Sequence, residues 1–493
     1  MSCRQHAFGP LRRQTLTPNL TGAARAQLLA ATLAALACAP SLAQAADPGS
    51  SCCADLDARI AELEETVARR GNRRVGVEVY GLVNQALLGW YDGKEADVYE
   101  VTNDNQRTRF GFKGKAKINK DWEAGFKLEI GIRTANSKRV SQIDPKGNDN
   151  PDDVGFDLRD IYWYLKEKHR GTLIVGLSTA ATDKITEINL TQTESFAKYS
   201  DVEDTGLGML LRSAVNGRLT SSGISWRRLL GDSGDQPGEG ERGFDVLKYE
   251  SPVLHGFWLT ASLGTKEFWD VALRYKGEFG DVKFEAGVGY LEVIDGAELA
   301  VCAAAEVDSI VEVGLAREEV VHSNQDCQNY GGSFSVLHEK TGLFLNFGTG
   351  LKVDNLIRDT QRFSGTTVGE DQFFWAAQAG VEKKFNHLGK TTIYGEYYDY
   401  DGAGGTRRTV RAGDALNPTG TGNWAEWNSA VNVMGAGIAQ GIDNAAMILY
   451  LSYRHVEGEL VLRRLNGAVA NGPIADAPLD DLDLLLTGAV IKF

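Results

Sequence analysis

Apolar and polar residues alternate with a period of two along most of the chain from Val75 onward. The alternation is regular in RTRFGFKGKAKI and in EAGFKLEIGIR, two stretches that the short turn NKDW separates. One face of these stretches is apolar and carries Phe110, Phe112, Ala116, Ile118, Ala124, Phe126, Leu128, Ile130 and Ile132. The opposite face carries lysine, arginine and glutamate. Because successive side chains of an extended strand point to opposite sides, the pattern predicts antiparallel strands with two different environments.

The same design returns in WDVALRY and VKFEAGVGY, on either side of Gly280, and in the final stretch LDLLLTGAVIKF. One face of the final stretch carries Leu485, Thr487, Ala489, Ile491 and Phe493. A soluble domain usually leaves its last residues polar and loose. An alternating strand that ends on an aromatic residue therefore leaves open whether its apolar face meets a protein core or lipid.

Short turns alternate with long polar connections such as SQIDPKGNDNPDD and GDSGDQPGEGERG, and aromatic residues crowd the strand ends. Both features are typical of transmembrane β-barrels, in which the apolar face meets lipid and the charged face a wet interior. Residues 75–493 provide about 26 residues for each of 16 strands, enough for about ten spanning residues and the loops. The chain is therefore predicted to be all-β, a 16-stranded antiparallel transmembrane barrel closed by its last strand. The acidic run of the first connection either binds a divalent ion or forms a solvated outer loop.

The first 45 residues have a different composition. An apolar run, Leu28 to Pro40, follows four arginines and precedes Ala43-Gln44-Ala45, and it is too short to span a membrane. Residues 1–45 are therefore predicted to be a secretory signal peptide. A buried core helix and a lipoprotein attached at Cys38 are the alternatives. Without these residues the chain has a net charge of −18, which disfavours nucleic acid as a partner.

Residues 46–74 are predicted to form a short coiled-coil helix and a linker ahead of the barrel domain, residues 75–493. Within them, Leu56, Ile60, Leu63 and Val67 follow heptad spacing. The stretch either self-associates or lies as an amphipathic helix on a neighbouring domain. The adjacent Cys52 and Cys53 have no obvious partner within the chain and could pair between subunits. Cys302 and Cys327 flank one loop of an exported protein, which predicts a disulfide bond.

The stretch YESPVLHGFWLTASLG resembles a strand pair of the general bacterial porins. The chain resembles in particular the porins of alphaproteobacteria, in VEVYGLVNQALL, RTRFGFKGKAKI, GGSFSVLHEKTGLFLNFGTG, VEKKFNHLGKTTIYGEYYDY and GAVIKF. This resemblance implies a homotrimer in the outer membrane of a Gram-negative cell, with a long third loop folded into each barrel. It also implies passive diffusion of small hydrophilic solutes and ions. The expected partners are outer-membrane lipid, lipopolysaccharide and the barrel assembly machinery, for which Phe493 resembles the terminal assembly signal.

The segment after GTLIVGL is too long and irregular for an ordinary hairpin loop, and we expect it to line the pore. Two groups of charged residues are predicted to face each other across a constriction. They are the loop acids Asp183, Glu187, Glu194 and Asp201, and the basic wall Arg107, Arg109, Arg133 and Arg159. Opposed charges in a narrow wet passage orient polar solutes and disfavour apolar ones. In the alternative interpretation these arginines only line a wide interior or bind loop carbonyls.

No sequence motif of an enzyme is present: the chain lacks H-E-x-x-H, G-x-S-x-G and a phosphate-binding loop, and its histidines are widely separated. We therefore predict no catalytic centre, no metal site and no cofactor. Two other functions remain as alternatives. One is a substrate-selective channel for sugars or anions, to which Trp163 or Tyr199 could contribute. The other is a structural tether between the outer membrane and the cell wall through residues 52–70.

Overall fold

The computed structural model describes residues 75–147, 155–230, 237–240, 242–264, 268–293, 327–354, 371–403, 409–467 and 469–493. The predicted signal peptide, the predicted coiled-coil helix and Cys302 lie outside the described residues. Within the described ranges, no helix combines the length and the hydropathy needed to cross a membrane.

The described residues form one antiparallel sheet. Its first ten strands are β1 (Gly76–Tyr91), β2 (Ala96–Thr102), β3 (Arg109–Lys117), β4 (Trp122–Arg133), β5 (Gly155–Glu167), β6 (Gly171–Thr179), β7 (Arg242–Glu250), β8 (Phe257–Gly264), β9 (Phe268–Phe279) and β10 (Val282–Val293). The others are β11 (Cys327–His338), β12 (Leu343–Asp354), β13 (Asp371–Lys383), β14 (Thr391–Ala403), β15 (Thr409–Val410), β16 (Trp424–Ile442), β17 (Met447–Arg464), β18 (Ile474–Asp476) and β19 (Leu482–Lys492). Short 3-10 turns occur at Asp104–Gln106, Gln192–Ser195, Val202–Asp204, Trp226–Leu230 and Asp443–Ala445.

Seventeen of these segments make up the sixteen strands of a closed barrel. β2 and β3 together form one barrel strand, because β1 pairs with β2 along its second half and with β3 along its first. The two short strands β15 and β18 add only to the ends of β16 and β17. β1 pairs with β19, and the backbone of Phe493 exchanges two hydrogen bonds with Gly81, of 2.9 and 3.0 Å. The prediction that the last strand closes a 16-stranded barrel is confirmed.

The alternating pattern sets which side chains point outward. On β19, Leu485 and Ile491 are exposed on the outer face, as is Phe493 directly after the strand, whereas Leu486 and Val490 are buried inside the barrel. The apolar faces predicted for β3, β4, β9 and β10 also point outward, and Val288 is among their exposed side chains. A closed barrel satisfies all its backbone hydrogen bonds between strands, so an outward apolar surface of this kind suits lipid.

Short turns join the strands at one end of the barrel, here called the short-turn end, and most long connections lie at the other, the long-loop end. The connection between β6 and β7 is the third at the long-loop end. Its longest described part, residues 180–230, is here called the inserted segment; this segment contacts inward-facing side chains from β9 around to β17 and β1.

One part of the barrel interior is a packed apolar core, which differs from the uniformly wet interior that we predicted. The inserted segment contributes Phe196, Tyr199, Leu207, Met209, Trp226 and Leu229, and the facing wall contributes Leu88, Phe374, Val433, Val456, Leu460 and Leu484. The reason is that β13, β16, β17 and β19 carry apolar side chains on both faces. Burial of this apolar area holds the inserted segment against one side of the barrel.

Candidate functional site

Polar side chains on the inner wall bind the backbone of the inserted segment. Asp270 on β9 accepts a hydrogen bond of 2.6 Å from the Thr182 N–H. Ser333 on β11 accepts one of 3.0 Å from the Ile188 N–H. These contacts join residues that are far apart in sequence, and they satisfy backbone groups that would otherwise be buried without a partner.

Two glycines on β12 allow the connection to lie directly against the wall. A Cβ atom at Gly348 would collide with the carbonyl oxygen of Thr186, and one at Gly350 would collide with that of Pro237. Any larger residue at these two positions would push the connection away from the wall, toward the centre of the barrel.

Arg454 on β17 holds the far end of the inserted segment. Its guanidinium donates to Glu396 Oε1 at 2.7 Å, to the Lys198 carbonyl at 2.7 Å and to the Val202 carbonyl at 3.2 Å. Both charged side chains are almost fully buried, at 1% and 4% exposure. A buried charge is tolerated when it is paired and hydrogen-bonded, as here, so this group is an anchor point of the segment.

A cavity of about 600 Å³ lies between the inserted segment and strands β7–β10. Charged side chains of both signs line it, namely Asp183, Lys184, Glu187, Glu194, Lys248, Glu250, Arg274, Lys276 and Glu285. Two of them contact each other across neighbouring strands, since Lys276 Nζ lies 2.9 Å from Glu285 Oε2. Such a lining suits small polar solutes and their water.

Arg274 connects the wall of this cavity with the inserted segment. One of its terminal nitrogens donates to the Ala181 carbonyl at 2.9 Å, and the other donates to the Asp183 carbonyl at 2.7 Å. The planar guanidinium can make these bonds simultaneously because its donors form a fixed fork. The position of the segment at the cavity therefore depends on Arg274.

Three carboxylates meet in a buried cluster beside the cavity. Oxygens of Glu187, Asp201 and Glu239 lie within 4.8 Å of one another, and Lys198 contacts Glu187 at 2.8 Å and also Asp201. Burial, and after it the charge of Asp201, raises the pKa of Glu187 to about 8. Burial alone would raise the pKa of Asp201 as well, but the Lys198 ammonium lowers it below its ordinary value. At neutral pH Asp201 is therefore ionised and Glu187 mostly protonated.

The predicted basic wall lies on β3, β4, β5 and the turn before β3, where it meets acids of the same wall. Four ion pairs form there: Arg107 with Asp157 at 2.5 Å, Arg133 with Asp104 at 3.0 Å, Arg109 with Glu129 at 3.6 Å and Arg159 with Glu129 at 2.8 Å. Gln106 links this wall to the inserted segment, because it accepts from Arg109 at 2.8 Å and donates to Glu194 at 3.2 Å. The roles of these arginines and loop acids in a constriction stay predictions.

Sequence reasoning missed several residues of the cavity, notably Lys248, Glu250 and Lys276. Arg274 and Glu285 stood on the predicted charged faces of β9 and β10, but nothing in the sequence placed them opposite the inserted segment. Two other candidates lie away from the cavity lining: Trp163 is half exposed on the outer face of β5 and Tyr199 is buried in the apolar core.

Cys327 is buried at the start of β11 and is disulfide-bonded. Its predicted partner, Cys302, lies outside the described residues. The pairing of these two cysteines therefore stays a prediction.

The sequence model of a family described as Gram-negative porin matches residues 30–459. No curated protein matches the sequence significantly. Among solved structures, the chain is similar to an anion-selective porin from Comamonas acidovorans, with 13% identity, a TM-score of 0.48 and coverage of 85% of this chain and 100% of that chain. It is also similar to the trimer form of the outer-membrane protein OmpT of Vibrio cholerae, with 12% identity, a TM-score of 0.46 and coverage of 85% and 99%. The values for OmpF of Salmonella typhi in complex with daunomycin are 12%, 0.45, 85% and 97%.

Proposed function

The chain belongs to the Gram-negative porin family, and from that premise we propose that solutes cross its barrel through the charged cavity between the inserted segment and β7–β10. The protein is an outer-membrane diffusion channel, and its family and fold indicate a channel rather than an enzyme. The observation that carries the proposed path is the cavity itself, which is open to water and lined by both signs of charge. The inserted segment acts as the constriction loop in this proposal.

The balance of charges favours weak ion selectivity. Five acids and four bases line the cavity. Because Glu187 has a pKa of about 8, close to four charges of each sign remain at neutral pH. A passage with balanced, opposed charges orients water and polar solutes without strongly excluding either ion sign. We therefore propose passive diffusion of small hydrophilic solutes and ions.

The alternative functions find less support. Neither of the two aromatic residues considered for a sugar- or anion-selective channel lines the cavity, since Trp163 lies on the outer face and Tyr199 in the apolar core. Trp258 does line it, but the four bases there are balanced by five acids, which does not favour anions. The tether to the cell wall depends on residues 52–70, which lie outside the described residues.

The assembly and the partners rest on the family resemblance. We propose a homotrimer of the alphaproteobacterial branch, surrounded by outer-membrane lipid and lipopolysaccharide. The barrel assembly machinery would recognise the terminal strand with Phe493, which is exposed on the outer face beside Gly81.

The proposed path is tested by reversing one charge in the cavity. In planar bilayers under a salt gradient, Glu285→Lys should shift the zero-current potential toward anion selectivity, because it replaces an acid of the lining by a base. Glu459→Lys is the matched control, since Glu459 is exposed on the outer face of β17. Equal potentials for parent and Glu285→Lys, with normal insertion of both, would show that ions do not pass beside Glu285.

A further inference from the structure

A histidine and three carboxylates meet on the outer face of β17 and β19, outside the barrel interior. His455 is paired across the two strands with Asp483. Its neighbours Arg454 and Val456 are buried inside the barrel, so His455 points outward, with 27% of its side chain exposed. Glu457 lies on the same face of β17, and Asp481 directly precedes β19.

The two nitrogens of His455 have different environments. Nδ1 lies 2.8 Å from Asp483 Oδ1, which also accepts a hydrogen bond of 2.6 Å from the Tyr453 hydroxyl. A hydrogen bond from Nδ1–H to a carboxylate leaves the lone pair of a neutral imidazole on Nε2. Histidines that bind metal ions commonly have this arrangement, in which the carboxylate orients the ring and makes it more basic.

The Nε2 atom faces two further carboxylates. Glu457 Oε1 lies 3.3 Å from it and Asp481 Oδ2 lies 4.0 Å from it, and all three atoms are within 4.8 Å of one another. Ligands about 2.0–2.2 Å from a tetrahedral zinc ion are separated by roughly 3.3–3.6 Å. Small side-chain rotations therefore suffice to place all three atoms around one ion.

The charge of the cluster also favours a cation. It holds three carboxylates, and among the described residues His455 is the cationic partner in their ion pairs. Glu457 and Asp481 are more than half exposed, so an ion can enter from solvent. In the neutral form of His455, the lone pair of Nε2 faces the oxygens of Glu457 and Asp481, which is repulsive, and a metal ion would replace that repulsion by coordination.

We propose that His455, Glu457 and Asp481 bind a divalent transition-metal ion such as Zn²⁺, with Asp483 as the positioning residue and water in the remaining position. One imidazole nitrogen and two carboxylate oxygens suit zinc, whereas calcium and magnesium prefer oxygen ligands alone. The sequence signal is a pair of short motifs, H-x-E at 455–457 and D-x-D at 481–483, which antiparallel pairing brings together. The site is independent of the proposed solute path, because it lies on the outer face.

The test is titration of the folded full-length protein in detergent with ZnCl₂, followed by isothermal calorimetry in chelator-free buffer. The parent should bind one zinc ion per chain at this site, and His455→Gln should weaken binding at least about tenfold. Asp483→Asn should weaken it by about 10- to 100-fold, as losses of orienting carboxylates do. His338→Gln is the control, because His338 is a partly buried strand histidine whose ring contacts Thr341 instead of an acid.

Unchanged zinc affinity in His455→Gln would overturn the site, and so would Ca²⁺ binding as tight as Zn²⁺ binding in the parent. If Asp483→Asn alone had no effect, the positioning role of Asp483 would be wrong while the ligands would stand. Folding of each variant is checked by its compact, heat-sensitive band on a gel. Bilayer conductance of the same samples reports on the channel separately, so a failed metal site leaves the proposed solute path untouched.

Discussion

Arg454 holds the inserted segment by three hydrogen bonds, and its removal should release residues 198–202 from the wall. Arg454→Met deletes the donors of the Lys198 and Val202 carbonyls. It also leaves Glu396 buried, and among the described residues the Gln378 amide, at 3.0 Å, is then its remaining hydrogen-bond donor. The change therefore combines two lost loop contacts with one uncompensated buried charge.

The magnitude follows from this geometry. Removing one partner of a buried ion pair typically costs about 3–5 kcal/mol. If this free-energy cost destabilises only the state in which the inserted segment is attached to the wall, the equilibrium ratio of detached to attached molecules rises by about 150- to 4,000-fold. Glu396→Gln/Arg454→Met keeps the loss of the loop contacts but removes the unpaired charge. It should therefore lie between the parent and the single variant.

Single-channel recording in planar bilayers measures this effect. Arg454→Met should show a larger and noisier conductance than the parent. A segment that detaches from the wall obstructs the barrel interior less on average, and its movement makes the obstruction vary with time. Arg463→Met, on the outer face of the same strand, removes an arginine that stacks over Trp427 at 4.2 Å and should conduct like the parent. Parent-like conductance and noise in Arg454→Met, at normal insertion, would refute the role of Arg454 as an anchor.

Three further predictions concern the pH, the wall and the terminus. Because the pKa of Glu187 is about 8, raising the pH from 7 to 9 ionises it and should shift the zero-current potential in the direction of cation selectivity. Glu187→Gln should abolish that shift. A shift that persists in Glu187→Gln would contradict the assignment of the titration to Glu187. Because the pKa of Glu187 is raised from 4.5 to about 8 in the folded protein, the folded state binds more protons than the unfolded state between these two values. The stability of the inserted segment should therefore fall as the pH rises from about 4.5 to about 8 and level off above that. Gly348→Ala should increase the current noise, because the added methyl group displaces the backbone at Thr186 at a cost of about 1–3 kcal/mol. Gly395→Ala is the control and should match the parent, because its Cβ would lie 3.8 Å from the nearest atom. Equal noise in the two variants would be evidence against direct contact between the inserted segment and β12. Deleting Phe493 should lower the amount of inserted protein, measured in outer-membrane fractions. The conductance of each inserted channel should stay unchanged, because Phe493 pairs with Gly81 outside the cavity lining. Normal insertion of the variant would contradict an assembly role for Phe493.

The barrel could be predicted from the sequence because the alternation of apolar and polar residues is visible within each strand by itself. Alternation along each strand sets which side chains meet lipid, and it identified the outward faces of β3, β4, β9, β10 and β19 without knowledge of their neighbours. Closure followed from the same rule, since an apolar final strand without a partner would leave an unpaired edge. The apolar core inside the barrel was missed for a related reason. Leu486 and Val490 interrupt the alternation, and a strand that is apolar on both faces does not reveal what covers its inner face.

The path of the inserted segment depends on contacts that no local pattern carries. Ile188 meets Ser333 and Thr193 meets Gln378, across 145 and 185 positions of sequence. Serine and glutamine on a strand are equally compatible with a wet wall, so their role as hydrogen-bond partners of a loop backbone became evident only from the fold. The same holds for Gly348, whose missing side chain has meaning only beside Thr186.

The pairing of charged side chains in the barrel interior could not be predicted from the sequence. The sequence contains four arginines and four loop acids, and their opposite signs favoured two charged walls that face each other across a constriction. In the fold, each of the arginines has an acid of its own wall within 3.6 Å, and Glu187 and Glu194 share Lys184 at 3.3 Å. An ion entering the cavity therefore meets groups whose charges are already partly compensated, and compensated pairs exert weak fields beyond a few ångströms. Lys276 and Glu285 are paired as well, but they line the cavity, whereas the four arginines do not. The selectivity of the channel should therefore respond more to the charge balance along β7–β10 than to the number of arginines on β3–β5. Comparing Glu285→Lys with Arg109→Gln in the same salt gradient tests which of the two walls sets the ion selectivity. The larger shift of the zero-current potential should come from Glu285→Lys. A larger shift in Arg109→Gln would show that the arginines on β3–β5 line the constriction.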